Sequence, residues 1–144
     1  MPTKLAECGV KLSPLGLGIE HFAKGVWKVK HLSRDENTRL ILQTAFESEI
    51  THFDLVFNLP YFFDEFSSFL KGKRDKITFT AHLGNVYNEK AKSNKATRSL
   101  KPIQETFDSM IKRLDVDFVD IALLQYIKHE KDYSDLIRKG TSLT

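Results

Sequence analysis

A chain of 144 residues, 41% hydrophobic and 28% charged, is long enough to bury a core, and its net charge of +3 is too small to argue for nucleic acid. No apolar run approaches the roughly 20 residues that cross a bilayer, and Met1 to Val10 lacks the apolar core of a secretory signal. Cys8 is the single cysteine, which excludes an internal disulfide and a multi-cysteine metal site and suits a reducing cytoplasm.

Thr3 to Leu12 holds two short alternating runs broken at Cys8-Gly9, the pattern of a β-hairpin. Leu15-Gly-Leu-Gly18 reads as a short buried strand whose glycines admit close approach by another backbone. The same glycines lack the full Gly-x-Gly-x-x-Gly spacing of a phosphate cradle. His21 to Leu32 reads as a loop. Ser33-Arg-Asp-Glu36 is a capping box: the Ser33 hydroxyl accepts the N–H three residues on, and Glu36 reaches back to the N–H of Ser33. The helix it opens runs to about Glu49, with Leu40, Ile41, Thr44, Ala45 and Ser48 on the expected buried face.

The stretch Ile50 to Gly84 reads strand, loop, helix, charged turn, strand. The first strand closes on Phe53-Asp54, the helix is Phe62 to Leu70, and the second strand is Ile77 to Ala81. In a βαβ unit Asp54 and His82 then lie at the same end of a parallel sheet, where such folds place their chemistry. Asn85 to Arg98 is polar and reads as a long solvated loop. Its Lys90, Lys92, Lys95 and Arg98 could meet an anion, but a mobile, hydrated segment is the simpler reading. Pro102 suits the first turn of a helix carrying Ile103, Phe107, Met110, Ile111 and Leu114 at helical spacing. Phe118 to Leu124 reads as a strand, and Tyr133 to Lys139 as a helix with Asp132 as its N-cap and Gly140 as its stop. The four remaining histidines, His21, His31, His52 and His129, show no ligand spacing, so no metal site is expected. Repeated alternation of strand and helix implies a parallel sheet with helices packed outside it, in a single domain spanning residues 1–144.

In order and spacing, several of these segments resemble the aldo-keto reductases: Lys11-Leu-Ser-Pro-Leu-Gly-Leu-Gly18, His52-Phe-Asp54, Ile77 to Gly84, and Ile111-Lys-Arg-Leu-Asp-Val-Asp-Phe-Val-Asp120. The resemblance implies an α/β fold, a parallel (β/α) barrel of the TIM type, of which this sequence supplies the N-terminal hairpin and the first four βα units. It implies an oxidoreductase that reduces aldehydes and ketones, small-molecule carbonyl substrates, with NADPH. In the family NADPH is gripped mainly by loops after the last two strands, so binding by this half-barrel is not expected, and no cofactor-binding residues are assigned.

The resemblance also carries a catalytic set. Asp54 falls on the family's Asp, His82 on its Lys and Gln125 on its His. The tyrosine position falls on Leu59, and Tyr61 is the nearest phenol. With one of four positions unchanged, the chain alone is expected to be weakly active or inactive. The alternative is a non-catalytic half-barrel acting as an interaction or assembly module. Open sheet edges and an apolar inner face, with Leu17, Phe53, Phe79 and Leu123 on or near the strands, would favour a homodimer, or pairing with a C-terminal half. An independent acid–base enzyme built on Asp54 and His82 is the weakest reading, because an Asp beside a His is more often a structural contact.

Overall fold

The computed structural model describes residues 4–5, 9–20, 29–88 and 90–139. Its centre is a four-stranded parallel sheet: β3 (Gly16–Gly18), β4 (His52–Leu55), β5 (Thr78–Leu83) and β8 (Ile121–Leu124), side by side in that order. Leu17 is level with Phe53, Phe53 with Phe79, and Thr80 with Ile121. Before the sheet, β1 (Lys4–Leu5) pairs antiparallel with β2 (Lys11–Leu12), as the sequence pattern predicts. The Cys8 side of that turn and residues 21–28 of the expected loop lie outside the described residues, as does the Gly140 stop.

Three helices connect these strands. The first, α1 (Arg34–Glu47), opens on the expected capping box, with Ser33 N–H donating to Glu36 Oε2 at 2.8 Å and Glu36 N–H donating to Ser33 Oγ at 3.2 Å. Its buried face differs from the expected one. Asn37, Thr38, Leu42 and Ala45 are buried, whereas Leu40 and Thr44 are exposed. Two polar groups can face inward because each is paired: Thr38 Oγ1 donates to the Arg34 carbonyl, and Asn37 Oδ1 accepts the Val29 N–H. The second helix, α2 (Pro60–Leu70), begins two residues earlier than the apolar run suggests, because Pro60 is pre-set for a helical first turn. The third, α3 (Leu100–Leu114), buries Ile103, Met110 and Leu114 and half-buries Phe107 and Ile111, which confirms the stripe read from the sequence.

Three expectations are corrected. Residues 85–98 are not an open loop: β6 (Asn85–Asn88) and β7 (Ser93–Ala96) form an antiparallel hairpin beyond the C-terminal end of β5. The last strand of the sheet is shorter than Phe118 to Leu124, because Asp120 uses its side chain at the strand's entrance. Its Oδ2 accepts the Phe79 N–H at 3.0 Å and lies 2.9 Å from Arg74 Nη2. Finally, α4 (Glu130–Lys139) starts before Asp132, and Asp132 acts from inside the first turn, its Oδ2 accepting the N–H groups of Lys128 and His129.

The core lies between the sheet and the helices. Phe66 on α2 is fully buried, with ring centroids at 5.6 Å from Phe53, 5.4 Å from Phe62, 5.9 Å from Phe69 and 5.8 Å from Phe79. Since strand residues alternate sides, the positions next to Phe53 and Phe79 face away from this core. His52, Asp54, Thr78, Thr80 and His82 therefore share the opposite, inner face with Gly16 and Gly18. The expected apolar inner face is thus polar over β3 to β5. Phe53 and Phe79 belong to the helix side with Leu17, and Leu123, 46% exposed, is an inner-face residue of β8, as is Ile121, level with Thr80.

Candidate functional site

Asp54 and His82 reach the inner face one strand apart. Asp54 is level with Thr80, and His82 is two residues further along β5. Their side chains meet at the C-terminal end of the sheet, with His82 Nε2 2.7 Å from Asp54 Oδ1. The His82 side chain is 11% exposed and that of Asp54 36%. The approach is close without hydrogen-bond alignment. Neither of these atoms, nor His82 Nδ1, has a hydrogen-bond partner among the described residues, and all three are buried. The attraction is therefore one of charge when the ring is protonated.

His52 is the neighbour that the sequence reading passed over. It sits on the same face two residues before Asp54, with Nε2 3.4 Å from Thr80 Oγ1. Burial pushes its pKa below the ordinary histidine value, against the pull of Asp54, of a backbone contact at Thr78 and of Asp120. The strict alternation His52-Phe53-Asp54 was the signal that could have found it. Gly16 gives its ring room, since a Cβ there would lie 2.7 Å from His52 Cδ2.

Gln125 lies just past β8 and is tied into the protein at both ends of its amide. Its Nε2 donates to the Val56 carbonyl at 3.2 Å, and its Oε1 accepts from Asn85 Nδ2 at 2.5 Å. Tyr61 is the second residue of α2, with the Arg34 guanidinium 4.4 Å above its ring. It lines a cleft of about 380 Å³ with Phe57, Leu59, Asn94 and Tyr126, a cleft that neither Asp54 nor His82 lines. Burial, and then the nearby Tyr87, push its phenol above the ordinary tyrosine pKa, while Arg34 draws it down. Leu59 is buried and its carbonyl caps the start of α2. Among the described residues no three His, Cys, Asp or Glu side chains cluster so as to hold a metal ion, and no helix is long and apolar enough to cross a membrane.

No family model and no curated protein matches the chain. Solved structures do. An aldo-keto reductase of Bacillus halodurans, AKR11C1, superposes with a TM-score of 0.69 at 20% identity, covering 95% of this chain and 46% of that one. The fold is that of about half an aldo-keto reductase barrel. A glycerol dehydrogenase of Gluconobacter oxydans, AKR11B4, matches at TM-score 0.65 and 18% identity, over 96% of this chain and 45% of its own. A thermostable aldo-keto reductase solved with the inhibitor epalrestat matches at TM-score 0.65 and 21% identity, over 97% and 51%. The chain thus spans about half the length of these aldo-keto reductases.

The resemblance to aldo-keto reductases raises NADPH as a ligand, and two features of the described residues bear on its phosphates. The His52 ring fills the space over Gly16, whereas Gly18 is open, with Val56 Cγ2 the nearest atom to a Cβ there at 3.9 Å. Arg98, at the rim, is already bound to the carbonyls of Thr97 and Tyr126, with its Nε 3.9 Å from Asp132.

Proposed function

We propose that this chain is an assembly module, one half of an aldo-keto reductase-like barrel. Its partner is further barrel strands, from a second copy or from a C-terminal half, and it does not reduce carbonyl compounds unaided. The observation that carries this reading is the state of the proton-donating groups. Reducing an aldehyde or ketone requires a donor within about 3 Å of the carbonyl oxygen. Both ring nitrogens of His82 are buried, Gln125 is bound at both ends, and Tyr61 lines a cleft that neither Asp54 nor His82 lines, with its proton held more tightly than usual. Among the described residues, β3 and β8 are the edge strands of the four-stranded sheet, and such edges supply the means of pairing. A cytoplasmic setting suits a chain with one cysteine.

One observation favours a second reading, an NADPH-dependent oxidoreductase acting on small carbonyl substrates. Asp54 and His82 are in contact at the C-terminal ends of the strands, where barrels of this type carry out their chemistry. Nicotinamide fluorescence and light scattering on the purified chain separate the two. Assembly without saturable NADPH quenching is expected. A monomer that quenches NADPH fluorescence at micromolar concentration and oxidises NADPH when an aldehyde is added would overturn the proposal.

A further inference from the structure

The contact between Asp54 and His82 is diagonal across the strand ladder, since Asp54 is level with Thr80 and His82 lies two residues on. Pairing of β4 with β5 ends at Leu55 and Ala81, one residue short of His82, whose ladder partner is Leu123 on the other side. Past that last pair, side chains add to the hold on the end of β5. Three side-chain amides lie at that point, one from each of three strand ends: Asn58 after β4, Asn85 after β5 and Gln125 after β8. Asn58 and Asn85 are buried, at 5% and 1% exposure.

The amides form a chain of defined direction. Asn85 Oδ1 accepts from Asn58 Nδ2 at 3.0 Å and from the Asn58 N–H at 3.4 Å. Asn58 Nδ2 also donates to the Asn85 carbonyl at 2.7 Å. Asn85 Nδ2 faces the other way, donating to Gln125 Oε1 at 2.5 Å and, at 3.5 Å, to the carbonyl of His82 itself. Gln125 Nε2 then donates to the carbonyl of Val56, two residues past Asp54. Reversing the Asn85 amide would set donor against donor at Asn58, so the orientation is self-consistent.

We infer that Asn85 and Gln125 are positioning residues that hold the strand ends carrying Asp54 and His82 in contact. The inference rests on the reading of those two as the pair of this site. The clamp takes hold of the backbone at His82 on one side and beside Asp54 on the other. The Gln125 side chain is directed at the protein rather than at a ligand.

The test is NMR of the His82 imidazole C–H signals in the whole chain at fixed pH, with the signals of the exposed His31 as an internal reference. In the unaltered chain, Asp54→Asn is expected to shift the His82 signals. In a Gln125→Met background, which removes both links at similar length, that shift is expected to be lost. A role confined to stability would lower the unfolding midpoint and leave the shift intact, and that result overturns the clamp. If Asp54→Asn leaves His82 unmoved in the unaltered chain, the pair itself fails, and the inference with it. Should Gln125→Met fail to fold, Gln125→Glu cuts the link to Val56 while keeping the acceptor for Asn85, and the same loss is expected. Retention of the shift in Gln125→Glu would likewise overturn the clamp.

Discussion

Phe66→Ala tests whether the helix-side aromatic cluster is the main source of stability. The ring is fully buried, with four other phenylalanine rings within 6 Å of its centroid. Removing a buried phenylalanine side chain costs about 3–5 kcal/mol, as lost transfer energy plus the cavity left behind. Edge-to-face packing adds about 0.5–1.5 kcal/mol per pair beyond area burial. The pairs with Phe53 and Phe79 are of that kind, at interplanar angles of 61° and 86°. A loss near the top of the range, about 4–5 kcal/mol, is therefore expected, against a total of about 5–15 kcal/mol for an ordinary domain. Urea unfolding followed by far-UV circular dichroism reads it. With a slope of about 2 kcal/mol per molar urea, the midpoint should fall by about 2 M. Phe66→Leu fills most of the volume and should cost about 1–1.5 kcal/mol, keeping the comparison possible if the alanine variant does not fold. A loss below about 1.5 kcal/mol for Phe66→Ala at unchanged slope would refute the assignment.

Three further outcomes are expected. Arg74→Ala should cost about 2–3 kcal/mol in urea unfolding, because it strands the Asp120 carboxylate and removes a guanidinium lying 4.7 Å from the Phe79 ring and 4.4 Å from that of Phe118. Arg74→Lys should recover only part of it, since one ammonium cannot reach Ile77, Phe118 and Asp120 together. Gly16→Ala should lower stability by about 1 kcal/mol and move the NMR signals of His52, whose ring must vacate the new methyl's place, whereas Gly18→Ala should do neither. The pKa of His52 is depressed in the folded state, so the unfolded chain binds that proton more readily. The stability linked to His52 is then present above its unfolded value of about 6.5 and is lost as pH falls toward the folded one. His52→Gln should flatten stability against pH in that window, and an unchanged slope would contradict the burial of the ring.

Local rules were legible where the partners are close in sequence. The capping box of Ser33 and Glu36 depends on residues three apart and could be read directly. The apolar stripe of α3 was legible because its opposite face is charged. In α1 the run Leu40-Ile41-Leu42 offers apolar residues to several faces, and the choice fell to the one that meets α2, with Asn37 and Thr38 inward because each is paired, Asn37 with the Val29 N–H and Thr38 with the Arg34 carbonyl. The β6–β7 hairpin was not legible. Its side chains are mostly polar, and its pairing is carried by backbone groups that leave no alternation in the sequence. Spacing and resemblance brought Asp54 and His82 to one end of the sheet, where they are found in contact. The amides of Asn58 and Asn85 gave no such signal, because the side-chain amides they pair with lie 27 and 40 residues away in sequence.

The alternation of sides along the sheet also bears on how such a chain can change over generations. From β3 to β5 the odd-numbered positions, Leu17, Phe53, Leu55, Phe79 and Ala81, meet the helices, and the even-numbered ones carry every titratable group of the inner face. Substitutions at the second set alter which protons and charges the crevice presents while leaving the aromatic packing intact. A lineage built on this plan can lose one chemistry and acquire another by single replacements at alternate positions, with the scaffold conserved throughout.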